Sequence, residues 1–120
     1  MNKEQALYNF WAGFGLPAYD ANSVPDGARL PYITYETVTD DFGNDLPGTA
    51  SLWYRSGSWE DITKKKDEIT EAIGKGGKIL HYEGGAVWIQ KRTPWASRMS
   101  DPSDDLIRRI VLQYSLEFLD

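Results

Sequence analysis

The last stretch of the chain, "IVLQYSLEFL", is the feature that most limits the fold. Ile110, Leu112, Tyr114, Leu116 and Phe118 alternate without a break with Val111, Gln113, Ser115, Glu117 and Leu119. Side chains on a strand point to opposite faces in turn, so this period of two gives one fully apolar face and one mixed face. A strand so long and regular is expected at the centre of a sheet, with its apolar face against helices.

The rest of the chain supplies candidates for both. Leu7, Phe10, Trp11 and Phe14 repeat at helical spacing, which predicts a helix from about Lys3 to Phe14, capped by Asn2 and stopped by Gly13, Gly15 and Pro17. Leu16 to Leu30 reads as an irregular connector with Tyr19 as its pin. "PYITYETVT", Pro31 to Thr39, is rich in β-branched and aromatic residues and predicts a strand. Its Ile33 and Tyr35 share one face; Tyr32, Thr34 and Glu36 share the other. After a turn from Asp40 to Gly48, "TASLWYRSG" returns antiparallel, with Ala50, Leu52 and Tyr54 opposite Ser51, Trp53 and Arg55.

Ser58 reads as an N-cap, with Glu60 in the first turn and Asp61 three residues on as in a capping box. The helix behind it carries one stripe, Ile62, Ile69 and Ile73. Lys64, Lys65 and Lys66 stand beside Asp67, Glu68 and Glu71 on a solvated face, and "GKGGK" ends it. "KILHY" and "AVWIQK", joined through "EGG", form a hairpin. The expected order is α-β-β-α-β-β-β. This is an α+β fold, one domain over residues 1–120, with about five strands in an antiparallel or mixed sheet flanked by two helices.

Composition narrows the function. At 120 residues, 41% hydrophobic and 26% charged, the chain is ordinary for one globular domain. It has no apolar run long enough for a transmembrane helix, and its first residues lack a signal peptide's pattern, so no membrane partner and a cytosolic setting are expected. With no Cys there is no thiol nucleophile, thiolate metal site or disulfide. A net charge of -5 argues against a general or sequence-specific nucleic-acid binder. Five Trp and seven Tyr are a high aromatic load, used both in cores and where proteins meet.

Searches for chemistry end without a site. His81 is the sole histidine and has no metal-ligand spacing around it. The glycines of "GKGGK" follow a helix instead of opening one, so they do not cradle phosphate. "DDFGNDLPG" lacks the alternating oxygen ligands and downstream Glu of a calcium loop. The pairs Asp40/Asp41 and Asp104/Asp105 are neighbours in loops, whereas a glycosidase sets its two carboxyls around a cleft. No catalytic, cofactor-binding or metal-ligating residue is expected, and the chain does not read as an enzyme.

What stands out instead is the run from Arg92 to Asp105. It has no period of its own and reads as a long connection between two strands, a feature usually tied to function. It holds Arg92, Trp95, Arg98 and Met99, residue types favoured at protein interfaces, and then the acids Asp101, Asp104 and Asp105. Both charge signs on one arm suit a partner of the same kind. The alternative is that its Trp folds back to cover the sheet. With Asp41, Phe42 and Asp45 of the earlier turn, these residues form the candidate protein interface.

The phrases "FWAGFGLPAYDANSVP", "LPYITYE", "SLWYRSGSW" and "RMSDPSDDLIRRIVLQYSLEFL" together resemble a family of small structural proteins of tailed bacteriophages and prophages of Gram-positive hosts. The likeness runs over nearly the whole chain and is similar to siphophage tail terminator and tail-to-head joining proteins. It implies a homo-oligomer, a hexameric ring at the head-proximal end of the tail, with the tail tube protein and the head–tail connector as partners. It also implies a place in the virion after assembly in the host cytoplasm. Two other readings stand beside it: another head–tail or minor capsid component, and a monomeric cytosolic module that binds a peptide at a sheet edge.

Overall fold

A computed structural model describes residues 1–36 and 46–119. The order is α1 (Lys3–Ala12), β1 (Ala18–Asp20), β2 (Tyr32–Tyr35), β3 (Leu46–Arg55), α2 (Glu60–Ile73), β4 (Lys78–Tyr82), β5 (Gly85–Asp101) and β6 (Asp104–Phe118). The α+β class and the two helices hold, but the strands form one six-stranded mixed sheet, in the order β1-β2-β3-β6-β5-β4. The extra strand is β1, inside the expected connector. It is three residues long and runs parallel to β2, too short to carry a period in sequence. Ile33 N–H donates to the Pro17 carbonyl at 2.8 Å and Ala21 N–H to that of Tyr35 at 2.8 Å, which fasten both its ends.

β6 is central, paired antiparallel with β3 on one side and β5 on the other. Its alternating residues do what the pattern requires: Ile110, Leu112, Tyr114 and Leu116 are buried in a single core with Ile33, Leu52, Val87 and Ile89. Ile62, Ile69 and Ile73 of α2 and Leu7, Phe10 and Trp11 of α1 close that core from above. α2 lies over β3, β5 and β6, while α1 touches β1 and β2 near one edge of the sheet and β4 at the other. One short helix reaches both edges only if the sheet curls, and the curl wraps around Trp11, which is fully buried and lies 5.4 Å from Tyr114 and 6.4 Å from Tyr35.

Two local details set this geometry. Gly48 lets β3 run directly against the Tyr114 ring; a Cβ there would sit 2.5 Å from Cε2. α1 begins as read, since Asn2 accepts from Gln5 N–H at 2.8 Å while the Gln5 side chain accepts from Asn2 N–H at 3.0 Å. α2 begins one residue later than read. Trp59 takes the cap position without a side-chain bond, since an indole N–H donates and cannot accept from the helix amides, and Ser58 Oγ accepts from Glu60 N–H at 3.0 Å instead.

Candidate protein interface

The run from Arg92 to Asp105 is not a loop. It is the distal half of the β5–β6 hairpin, closed by a tight turn at Pro102 and Ser103. The alternation is broken in sequence because Arg92 to Trp95 bulge out between Lys91, which faces Tyr114, and Ala96, which faces Leu112. A bulge bends its strand and redirects side chains, and Pro94 is tolerated at one. Here it turns Trp95 inward. The ring packs against the core, and its Nε1–H donates to Thr70 Oγ1 of α2 at 2.9 Å. Trp95 therefore covers the sheet, the alternative left open for it above.

Beyond the bulge, the two faces of the hairpin are built around indoles. On the helix side the guanidinium of Arg98 lies 4.8 Å and that of Arg108 5.2 Å from the centre of the Trp59 ring. On the other side Arg109 lies 4.4 Å from the centre of the Trp53 ring. Cation–π stacking of this kind orders a long side chain without consuming its charge in an ion pair.

Among the described residues no helix lies over the outer face. Register across four strands places Tyr32, Trp53, Arg109 and Met99 in one row. Tyr19 extends the row edge-on to Tyr32 at 5.6 Å. The row is held from below: Trp53 Nε1–H donates to Thr34 Oγ1 at 2.9 Å, and Arg109 Nε–H to Ser51 Oγ at 3.2 Å. Where it meets the hairpin, Trp53, Met99, Asp101, Pro102, Ile107 and Arg109 line a shallow cavity of about 260 Å³. Met99 remains 45% exposed beside it.

The tip is acidic and braced by its own hydrogen bonds. Asp101 Oδ1 accepts from Ser103 Oγ–H at 2.7 Å and Ser103 N–H at 2.8 Å, which hold its carboxyl below the ordinary range. Asp104 accepts from Leu106 N–H at 3.0 Å and pairs with Arg55, with the same effect. A free backbone edge accompanies the tip, for β4 pairs with β5 only from Gly85 to Ile89, so among the described residues Ala96 to Asp101 have β6 on one side and no strand on the other.

Of the candidate residues, Arg98, Met99, Asp101, Asp104 and Asp105 gather at this distal half. Arg92 sits exposed in the bulge, and Trp95 belongs to the core side. Asp41, Phe42 and Asp45 lie outside the described residues. The sequence reading missed Tyr32, Trp53, Trp59, Ile107, Arg108 and Arg109 as site residues. Their signal was available in part: Trp53, Ile107 and Arg109 fall on the outward parity of strands whose inward residues were clear. Among the described residues no three His, Asp or Glu side chains converge to hold a metal ion, and no helix is long and apolar enough to cross a membrane. Comparison with models of protein families, with curated proteins and with solved structures gives no match.

Proposed function

We propose that this chain is a self-assembling structural subunit of a tailed phage. In this reading it is a tail terminator that closes the tail tube as a ring and joins it to the head connector, assembled in the host cytoplasm and carried in the virion. Catalysis has no part in it. The observation that carries the reading is the open sheet face. A row of two aromatics, an arginine stacked on an indole and a methionine, fixed by hydrogen bonds from beneath, runs across four strands into a cavity at the hairpin tip, with no helix above it among the described residues. Exposed apolar ground that is ordered in this way is suited to another protein surface. The phage phrases of the sequence supply the identity of the assembly.

Light scattering coupled to size exclusion, over a concentration series and followed by negative-stain imaging, tests this. A ring near six copies is the expected product. Replacing Met99 and Ile107 together by Thr keeps strand propensity while removing apolar area, and is expected to disperse the ring with the fold intact. A wild-type monomer at every concentration overturns self-assembly. It would leave the second reading, a module that adds a peptide strand along Ala96–Asp101, which the free backbone edge favours.

A further inference from the structure

The distal half of β5 offers a backbone edge as well as a surface. In an antiparallel ladder a residue sends both its N–H and its C=O to one neighbouring strand, and the next residue sends both to the other. Ser56 N–H donates to the Leu106 carbonyl at 2.8 Å, and Leu119 N–H to that of Ala86 at 2.8 Å. Even-numbered residues of β6 therefore bond toward β3 and odd-numbered ones toward β5. Ser97 and Met99 stand opposite Val111 and Arg109, so they bond to β6. Ala96, Arg98 and Ser100 turn their N–H and C=O groups the other way, where no strand pairs with them among the described residues. Arg98, Met99 and Ser100 are exposed in succession. Pro94 and Pro102, which cannot donate, bound this open edge.

An unpaired edge is a template for another strand, and its own sequence fits it. Laid antiparallel on a second copy and centred on Met99, Arg98 faces the copy's Ser100, Ser97 faces its Asp101, and Met99 meets Met99. Each Arg98–Ser100 pair then exchanges both of its main-chain bonds. Centring on Arg98 would set two guanidiniums directly opposite, and centring on Ser100 would set Met99 against an aspartate. Centring on Ser97 would run Met99 into the copy's bulge at Trp95. In the Met99 register the outer row Tyr32–Trp53–Arg109–Met99 continues unbroken into its own copy, through a side chain that is 45% exposed in the single chain. There is space for the copy's turn, whose Pro102 comes beside Ala96. β4 ends at Lys78, opposite Ile89, and the partners of Ile89 and Ala96 on β6 are Leu116 and Leu112. Four residues of strand, about 13 Å, thus separate the turn from β4.

We infer that the edge Ala96–Asp101 pairs with the same edge of a second copy of this chain, joining the two sheets across a two-fold axis at Met99. Such a contact uses one patch twice and closes at two copies, so it adds to the self-assembly reading a joint distinct from the open face. With no Cys in the chain, one introduced thiol can cross-link only to its copy. Met99 lies at a pair without hydrogen bonds, where Cα atoms stand about 4.5 Å apart, within disulfide reach. Ile79→Cys is the control, since Ile79 is 47% exposed on the other edge strand, β4. Ser100→Pro removes the outward N–H and leaves the bonds to β6, as an edge strand tolerates. Circular dichroism would confirm that each variant folds.

Under mild oxidation at micromolar protein, Met99→Cys is expected to form a disulfide dimer about a hundredfold faster than Ile79→Cys, because a thiol held alongside acts at millimolar effective concentration or above. Ser100→Pro deletes one bond from each symmetric pair and is expected to raise the concentration at which dimer appears in light scattering about tenfold or more. Equal cross-linking of the two cysteine variants, or a folded Ser100→Pro that associates like the wild type, overturns the pairing. A ring that forms without the Met99 cross-link removes the pairing and keeps the ring. Cross-linked dimers that never grow larger keep the pairing and remove the ring.

Discussion

The β5–β6 hairpin is one ribbon with two different halves. Its root, where Val87 and Ile89 stand beside Leu116 and Phe118, lies beneath the helices, and Val87, Ile89 and Leu116 have no exposed area. Its distal half, from Arg98 to Arg109, rests on stacked indoles, a carboxylate turn and one arginine–aspartate pair. The root is stabilised by area removed from water, a term that ignores charge. The distal half is ordered by directional polar contacts that leave its surfaces displayed. Order and burial are thus separate properties here, and an ordered half with little burial is what a partner surface requires.

Truncation should separate the halves most sharply. Leu116→Ala, at a fully buried site of the root opposite Ile89, is expected to cost about 2–5 kcal/mol in urea unfolding. Met99→Thr, at an exposed distal site, should stay within about 0.5 kcal/mol while still weakening assembly. Equal losses at the two positions would erase the distinction. Gly48→Ala probes the root from the other strand. Its new Cβ would press on a Tyr114 ring confined by Trp11, so about 1–3 kcal/mol is expected from the same unfolding curves. An unaffected midpoint would mean that the ring has room to move. Trp95→Phe falls at the border: it keeps most of the packing and loses the bond to Thr70, for a cost of about 1 kcal/mol. Its assembly should be unchanged, since Trp95 faces α2; impaired assembly in a stable variant would return that ring to the interface.

The same division explains what sequence reveals. Ile62, Ile69 and Ile73, or Leu112, Tyr114 and Leu116, announce their elements because burial demands an apolar residue at every inward position. From Asp104 to Arg109 the inward residues include Arg108, whose guanidinium lies over Trp59 where a core strand would use an aliphatic residue. On the opposite strand the bulge at Arg92–Trp95 breaks the count. Both strands thus lose their alternation at once, and a hairpin reads as a loop. The residue types of Arg98 and Met99 still singled the arm out from the rest of the chain. The row Tyr32–Trp53–Arg109–Met99 was hidden for another reason: its members come from four strands, and only their pairing registers bring them together.

The smallest expected effect concerns the tip alone. Asp101 and Asp104 are both held below the ordinary carboxyl range, so the ionised form is the one the folded turn prefers. Whatever they contribute is present above the unfolded carboxyl value of about 3.9 and is lost as pH falls through their lower folded values. Acidification should therefore loosen the amides of Ser103 and Leu106, which those carboxylates accept, in hydrogen exchange, while Ile89 and Leu112 stay protected. Arg55→Ala sharpens the test because the two acids lean on different groups. Asp101 depends on Ser103 and should titrate as before. Asp104 should move up toward the ordinary range yet remain below it, since the Leu106 N–H, its larger support, is untouched. If both acids shifted together in a carboxyl NMR titration, the tip would be a single coupled charge cluster. If neither shifted, the pair with Arg55 would be an ornament of the surface, and the turn would owe its order to backbone hydrogen bonds alone.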